Sequence, residues 1–143
     1  MKLKTILDKK CEEKILIYAH EETPLIRTIE KLVEEETAEL IGYVDREGVV
    51  LELMKVSCFI VDNNKVYALI DNKRLVVKYR MYQLLEKLPD NFVKINQSCI
   101  ANIKNIKSFD TSISGALLVK MKNGYSDYVS RRQLKSVKER LGL

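Results

Sequence analysis

The residues with the most distinctive chemistry lie late in the chain. The stretch Phe92-Val-Lys-Ile-Asn-Gln-Ser-Cys-Ile-Ala-Asn-Ile-Lys-Asn-Ile-Lys-Ser-Phe109 alternates polar and apolar residues, then breaks into a polar run, Asn96-Gln97-Ser98, between Ile95 and Ile100. A break of this kind is either a loop that carries side chains to a partner or a turn satisfied internally. Asn and Gln each donate and accept, which suits an adenine edge, whereas Ser and Lys suit phosphate oxygens. A second cluster, Arg131-Arg132 followed by Lys135, opens the last basic segment. Arg can hold guanine O6 and N7 with two parallel hydrogen bonds; the plain alternative is a solvated helix face.

Charge places these clusters in context. The 143 residues carry a net charge of +5, but unevenly. Residues 1–71 hold 10 basic and 15 acidic side chains, a balance of −5; residues 72–143 hold 15 and 5, a balance of +10. A polycationic half is the electrostatic footprint of nucleic-acid or anionic-surface binding, although a solvated basic surface has the same composition.

Catalytic and metal chemistry is poorly represented. His20 is the single His, so His-based triads and multi-histidine metal sites are excluded by counting, and its place at the end of an apolar run predicts a structural role. The glycines form no phosphate-cradling pattern. The carboxylate pairs Glu12-Glu13 and Glu21-Glu22 fall in the acidic N-terminal part, where the burial needed to separate two pKa values is not expected. Cys11, Cys58 and Cys99 are odd in number and widely spaced, which predicts free thiols, with Cys58 and Cys99 buried among apolar neighbours. No enzyme activity, metal, cofactor or small-molecule substrate is expected.

Length and composition, 46% hydrophobic and 31% charged, predict one folded domain with a real core. No apolar run reaches the roughly 18 residues of a membrane span, and no secretory signal opens the chain, so a cytoplasmic protein is expected. Lys14-Ile-Leu-Ile-Tyr-Ala-His20 predicts a strand. Thr23-Pro24 then offers an N-cap and first-turn proline for a helix to about residue 36, with Leu25, Ile29, Leu32 and Val33 on the face that would pack on a sheet.

From Leu40 strands dominate. Residues 40–44 and 49–53 predict a hairpin whose turn, Asp45-Arg-Glu-Gly48, places Gly at positive φ. Further strands are expected at 56–61, 66–70, 75–78, 92–95, 103–109, 116–121 and 125–129, the last joined through the Asn123-Gly124 turn. A helix is expected at 80–88, stopped by Pro89, and another at 131–141, capped by Ser130 and closed by Gly142. About eight short strands and two small helices, preceded by a β-α unit, make a mainly β (α+β) fold. The expected organisation is an N-terminal β-α extension over 1–44 and a β domain over 45–143.

Taken together, four segments resemble the LytTR DNA-binding family of bacterial transcriptional regulators. They are Val56-Ser-Cys-Phe-Ile-Val-Asp-Asn-Asn-Lys-Val-Tyr67; Tyr79-Arg-Met-Tyr-Gln-Leu-Leu-Glu-Lys-Leu-Pro89; the pattern Phe92, Lys94, Gln97-Ser98, Ile100, Asn102, Ile106; and Lys122-Asn-Gly124 with Val129-Ser-Arg-Arg-Gln-Leu-Lys135. They fall in family order and spacing across residues 45–143. The resemblance implies short antiparallel sheets whose loops along one edge enter successive major grooves of double-stranded DNA. It carries base contacts onto Asn64, Lys65, Gln97, Arg131 and Arg132, and phosphate contacts onto Arg80, Lys94, Asn96, Ser98 and Lys135. One departure is the apolar Cys58-Phe-Ile60, where many members carry an acidic step; altered packing beside the Asn63–Lys65 turn is the expected consequence.

Only 44 residues precede the resemblance, too few for the receiver domain that often accompanies it, so a stand-alone regulator without phosphorylation control in cis is expected. The apolar-faced N-terminal unit predicts a homodimer on repeated half-sites. Stand-alone members are sometimes controlled by a membrane protein, a further expected partner. Two other readings stay open: a protein-interaction module using a strand edge or the acidic helix, and an RNA-binding domain, which needs exposed aromatics such as Tyr79, Tyr82 or Tyr125 for stacking.

Overall fold

A computed structural model of the chain describes residues 1–12, 14–37, 39–112 and 115–143. The short runs of branched and aromatic residues form ten strands among the described residues. These are β1 Ile41–Val44, β2 Glu47–Val50, β3 Val56–Asp62, β4 Lys65–Ile70, β5 Lys73–Val77, β6 Phe92–Asn96, β7 Cys99–Asn102, β8 Ile106–Asp110, β9 Leu118–Met121 and β10 Ser126–Tyr128. Three helices accompany them: α1 Pro24–Thr37, α2 Met81–Lys87 and α3 Arg131–Leu141. Strands β1 to β7 make one antiparallel sheet in the order β2-β1-β5-β4-β3-β7-β6, and β8 to β10 make a second in the order β10-β9-β8.

The larger sheet is covered on both faces, which is why β3 reads as a continuous apolar run rather than an alternating one. On one face Phe59, Ala68, Leu75, Val77, Phe92 and Ile100 pack under Leu84 and Leu88, which α2 and its C-terminus supply. The Phe59 and Phe92 rings lie 5.7 Å apart. On the other face Cys58, Ile60, Ile95, Cys99 and Ala101 meet Leu117, Val119 and Met121 on or beside the second sheet, and Val137 of α3. Each fully buried Leu, Val or Phe contributes about 1.5–3 kcal/mol, so the two faces together hold α2, α3 and the second sheet in place.

Several local expectations are corrected. The first hairpin turns at Asp45-Arg46, with Asp45 at φ 54°, and Gly48 lies inside β2 opposite Tyr43. A Cβ at Gly48 would stand 3.2 Å from the Tyr43 ring, so the glycine makes room for a cross-strand aromatic rather than supplying the turn. Strand β7 was not expected, and the strand expected from Ile103 starts at Ile106 after a single 3-10 turn, Ile103–Asn105. The cause is Asn102, fully buried at 0% exposure. Its Nδ2 donates to the Val56 carbonyl (3.0 Å), while Oδ1 accepts from the Lys104 amide (3.1 Å) and from Asn91 Nδ2 (2.8 Å). That side chain competes with the ladder and ends the strand.

At the N-terminus α1 forms as expected, with Thr23 Oγ1 accepting from the Ile26 amide at 3.3 Å. The strand expected at 14–20 does not form. A strand needs a ladder partner, and no described residue supplies one; of this stretch only Ile17 is even half-buried, and His20 is exposed. Nor does the predicted face of α1 pack on a sheet, since Leu25 and Leu32 remain 52% and 55% exposed and Ile26 is the buried residue. The hydrogen-bonded body begins at Leu40, whose carbonyl accepts from the Leu51 amide (2.8 Å), and β1 pairs with both β2 and β5. Residues 41–44, expected in the extension, thus belong to the main sheet. Cys58 and Cys99 are buried free thiols and Cys11 is an exposed one.

Candidate nucleic-acid interface

Strand directions decide which side chains meet. β3 ends at Asp62, opposite Lys65 at the start of β4, so Asn63 and Asn64 form a two-residue turn. Both take positive φ, 49° and 62°. This is the left-handed pair a tight hairpin needs, and Asn tolerates it through its short polar side chain. The turn, doubtful from the apolar Cys58-Phe-Ile60 step alone, is a regular hairpin tip with Asn64 and Lys65 exposed. Behind it Arg74 reaches across the Tyr67 ring, 5.4 Å from its centroid, to Asp62 Oδ2 at 3.0 Å.

The neighbouring hairpin, β6 to β7, turns at Gln97-Ser98. Asn96 Oδ1 accepts from the Ser98 amide at 2.8 Å, closing the turn by a local side-chain bond. Gln97 and Ser98 are exposed, and the Gln97 amide has no hydrogen-bond partner among the described residues. The polar break seen in the sequence is therefore both things at once: Asn96 is satisfied internally and Gln97 points out of the turn unspent.

The third element is the start of α3. Ser130 is its N-cap residue by backbone conformation, without a side-chain cap bond, and Gly142 closes it at φ 74° as expected. Arg131, Arg132 and Lys135 are exposed and have no ion pair among the described residues.

These three elements are bonded to one another. The Val61 amide donates to the Ser98 carbonyl (2.9 Å), joining the first tip to the second. Asn96 Nδ2 donates to the Tyr128 carbonyl (2.8 Å), and the Ser130 amide donates to the Ile95 carbonyl (2.8 Å), joining the second tip to the start of α3. Asn64, Lys65, Gln97, Ser98, Arg131 and Arg132 thus share one end of the larger sheet. Arg80 is at the same end, three residues beyond Val77, which pairs with Val66. Lys135 lies one turn along α3. Lys94 is set apart, half-buried in the edge strand β6 opposite Ile100, and Asn96 has both of its polar atoms engaged.

Lys78 is the residue that sequence reasoning missed. It is exposed and directly follows β5, whose last residue Val77 pairs with Val66, so it lies at the same end of the sheet as Lys65, with its Nζ 4.4 Å from the Tyr43 ring of β1. An exposed ammonium there adds to the positive charge that this end offers to an anion. The period-two spacing of Arg74, Val76 and Lys78 was the available signal, but the neighbour of Lys78 depends on register.

Elsewhere the polar groups are structural. The Tyr125 hydroxyl donates to Asp127 Oδ2 at 3.0 Å, and burial, then the adjacent Cys99 and Asp127, push it well above the usual phenol range. Hydrogen bonding with Cys58 and burial push the Cys99 thiol far above the usual thiol range. Among the described residues no His, Cys, Asp and Glu cluster has the make-up of a metal site, and no helix is long and apolar enough to cross a membrane. Of the three Tyr residues considered for stacking, Tyr82 is 61% exposed while Tyr79 and Tyr125 pack against the core.

Comparison with known proteins adds four findings. The profile of the LytTr DNA-binding domain family matches residues 46–142. An uncharacterised HTH-type transcriptional regulator of Staphylococcus aureus strain MSSA476 is 32% identical over 146 residues, covering 100% of this chain and 99% of that protein. Another from strain NCTC 8325 / PS 47 is 36% identical over 104 residues, 73% of this chain and 71% of that protein. Among solved structures, the LytTr DNA-binding domain of a methyl-accepting/DNA response regulator from Bacillus cereus superposes with a TM-score of 0.70 at 21% identity, covering 75% of this chain and 99% of that one. Despite the relatives' helix-turn-helix label, α2 and α3 are separated by five strands here.

Proposed function

Because the chain belongs to the LytTr DNA-binding domain family, we propose that it is a sequence-specific transcriptional regulator that binds double-stranded DNA and reads major grooves from one end of its larger sheet. Asn64, Lys65, Gln97, Arg131 and Arg132 take the base-edge role. Arg80, Lys94, Ser98 and Lys135, with Lys78 added, take phosphates. The observation that supports this reading most is that three tips, distant in sequence, are hydrogen-bonded into one surface whose Gln and Arg side chains are left unspent. Base readout needs such free donors and acceptors on a fixed support.

The protein works in the cytoplasm, without catalysis and without a small-molecule substrate, as a homodimer on two half-sites. The dimer reading is supported by α1, whose Ile29 and Val33 line a groove of about 320 Å³ with Ile15, Ile17, Glu30 and Glu34, and whose Leu25 and Leu32 are exposed. A second copy of this unit is the proposed occupant: α1 and its lead-in carry both an apolar face and mixed charge, with exposed Lys14 at one end of the apolar stretch and exposed Glu21 at the other, so antiparallel copies bring opposite charges together.

Selection of bound sites from a random duplex pool, followed by mobility shifts on duplex and single-stranded RNA at two salt concentrations, tests the function. An enriched motif, bound as duplex with an affinity that falls steeply with salt, is expected. No enrichment, or preference for RNA, overturns the reading.

A further inference from the structure

We propose that Asn96 is a positioning residue: its amide sets the distance and angle between the tip carrying Gln97 and the helix start carrying Arg131 and Arg132. The inference rests on the reading of DNA by those two elements.

A primary amide has one acceptor oxygen and one donor nitrogen. In Asn96 each is committed to a different element: Oδ1 to the Ser98 amide at 2.8 Å, Nδ2 to the Tyr128 carbonyl at 2.8 Å. The orientation of the amide is unambiguous, because a backbone N–H only donates and a backbone carbonyl only accepts. One side chain therefore shapes the tip next to Gln97 and ties that tip to a carbonyl three residues before Arg131. The backbone strap from Ser130 to Ile95 lies beside it but makes no contact with the turn itself. Asn96 adjoins a register irregularity between Lys94 and Asn96, where the ladder alone fixes the tip least.

The strap is not part of the core. Tyr128 is 48% exposed, so water can solvate its carbonyl when the amide is removed. The bond's effect then falls on how the two reading elements are held together and leaves overall stability nearly unchanged. Its oxygen and one amide hydrogen being spent, Asn96 is held in place rather than extended toward a phosphate, the role that the family resemblance implied.

Asn96→Ala removes both bonds. Asn96→Ser keeps the turn, since a Ser hydroxyl accepts from the second amide onward, but is too short for Tyr128. Both are neutral, so electrostatic attraction to DNA is untouched. Binding by the full chain is read by fluorescence anisotropy on a selected duplex and on a scrambled one, alongside thermal melts. The expected result is about five- to tenfold weaker binding of the selected duplex by both variants, the effect of losing one hydrogen bond, with less than about a twofold change on the scrambled duplex. The loss disappears in a Gln97→Ala, Arg132→Ala background, because there is nothing left to position.

Equal losses on both duplexes make Asn96 a general DNA contact and overturn the proposal. So does full recovery in Asn96→Ser, which leaves the turn alone as the cause. If Asn96→Ala melts early, Asn96→Ser carries the test. A wild type that prefers neither duplex sinks the DNA reading itself, whereas a discriminating wild type with an equally discriminating Asn96→Ala sinks the strap alone.

Discussion

Side-chain chemistry separates the two kinds of DNA contact. Arg132 presents a fixed fork of donors suited to one base, so Arg132→Ala is expected to relax preference at one position of the selected site by about 1–3 kcal/mol, read by competition with single-base variants. Lys78 and Lys135 present point charges, so Lys78→Ala or Lys135→Ala weakens all duplexes alike and lowers the log–log salt slope by about 0.9 each; an unchanged slope removes either from the phosphate set. Arg131, Arg132 and Gln97 could be proposed from the sequence because their residue types carry the donor pattern wherever they sit. Lys78 could not, because its place at the same end of the sheet follows from the β4–β5 register. The thiols make a separate prediction. Cys58 and Cys99 are buried and the Cys99 thiol is held neutral, so a thiol reagent near about pH 8 modifies Cys11 alone in the folded protein and all three after denaturation, as counted by mass spectrometry.

Elements that carry their own punctuation were legible. The tip at Asn63-Asn64, the stop at Pro89, the Asn123-Gly124 turn and the Gly142 cap all act within a few residues, and the expected hairpins and helices formed around them. Elements that depend on a distant partner were not. Strand β7 was missed and the next strand was expected from Ile103 rather than Ile106, because the boundary between them is set by Asn102 bonding to Val56, 46 residues away. The stretch at 14–20 has strand-forming residues but no ladder partner among the described residues. Two stability predictions belong here. Leu84→Ala in α2 leaves a cavity against Phe59 and Phe92 and costs about 2–5 kcal/mol. Asn102→Ala takes away the partner of the Asn91 side-chain amide and of the Lys104 amide, while the Val56 carbonyl keeps its bond from Asn105 Nδ2 (3.0 Å); it costs about 1–3 kcal/mol, seen as a lower denaturant midpoint at unchanged slope.

At the scale of the molecule, positive charge and exposed apolar surface fall on different elements. The C-terminal +10 includes Arg131, Arg132 and Lys135 of α3, while the acidic half contains α1 with its exposed Leu25 and Leu32. Light scattering is expected to return a dimer for the wild type and a monomer for Leu25→Glu, Leu32→Glu, with the same melting temperature for the β body; a wild type that stays monomeric at high concentration removes the dimer. Composition, spacing and local turn chemistry by themselves determined the class of fold and the residue types able to read a base, because each of these depends on identity and near neighbours. Only the tertiary structure decided which of those residues share a surface. Hydrogen bonds from Val61 to Ser98 and from Asn96 to Tyr128 join strands that the chain reaches 32 or more residues apart, and no local pattern encodes a pairing made at that distance.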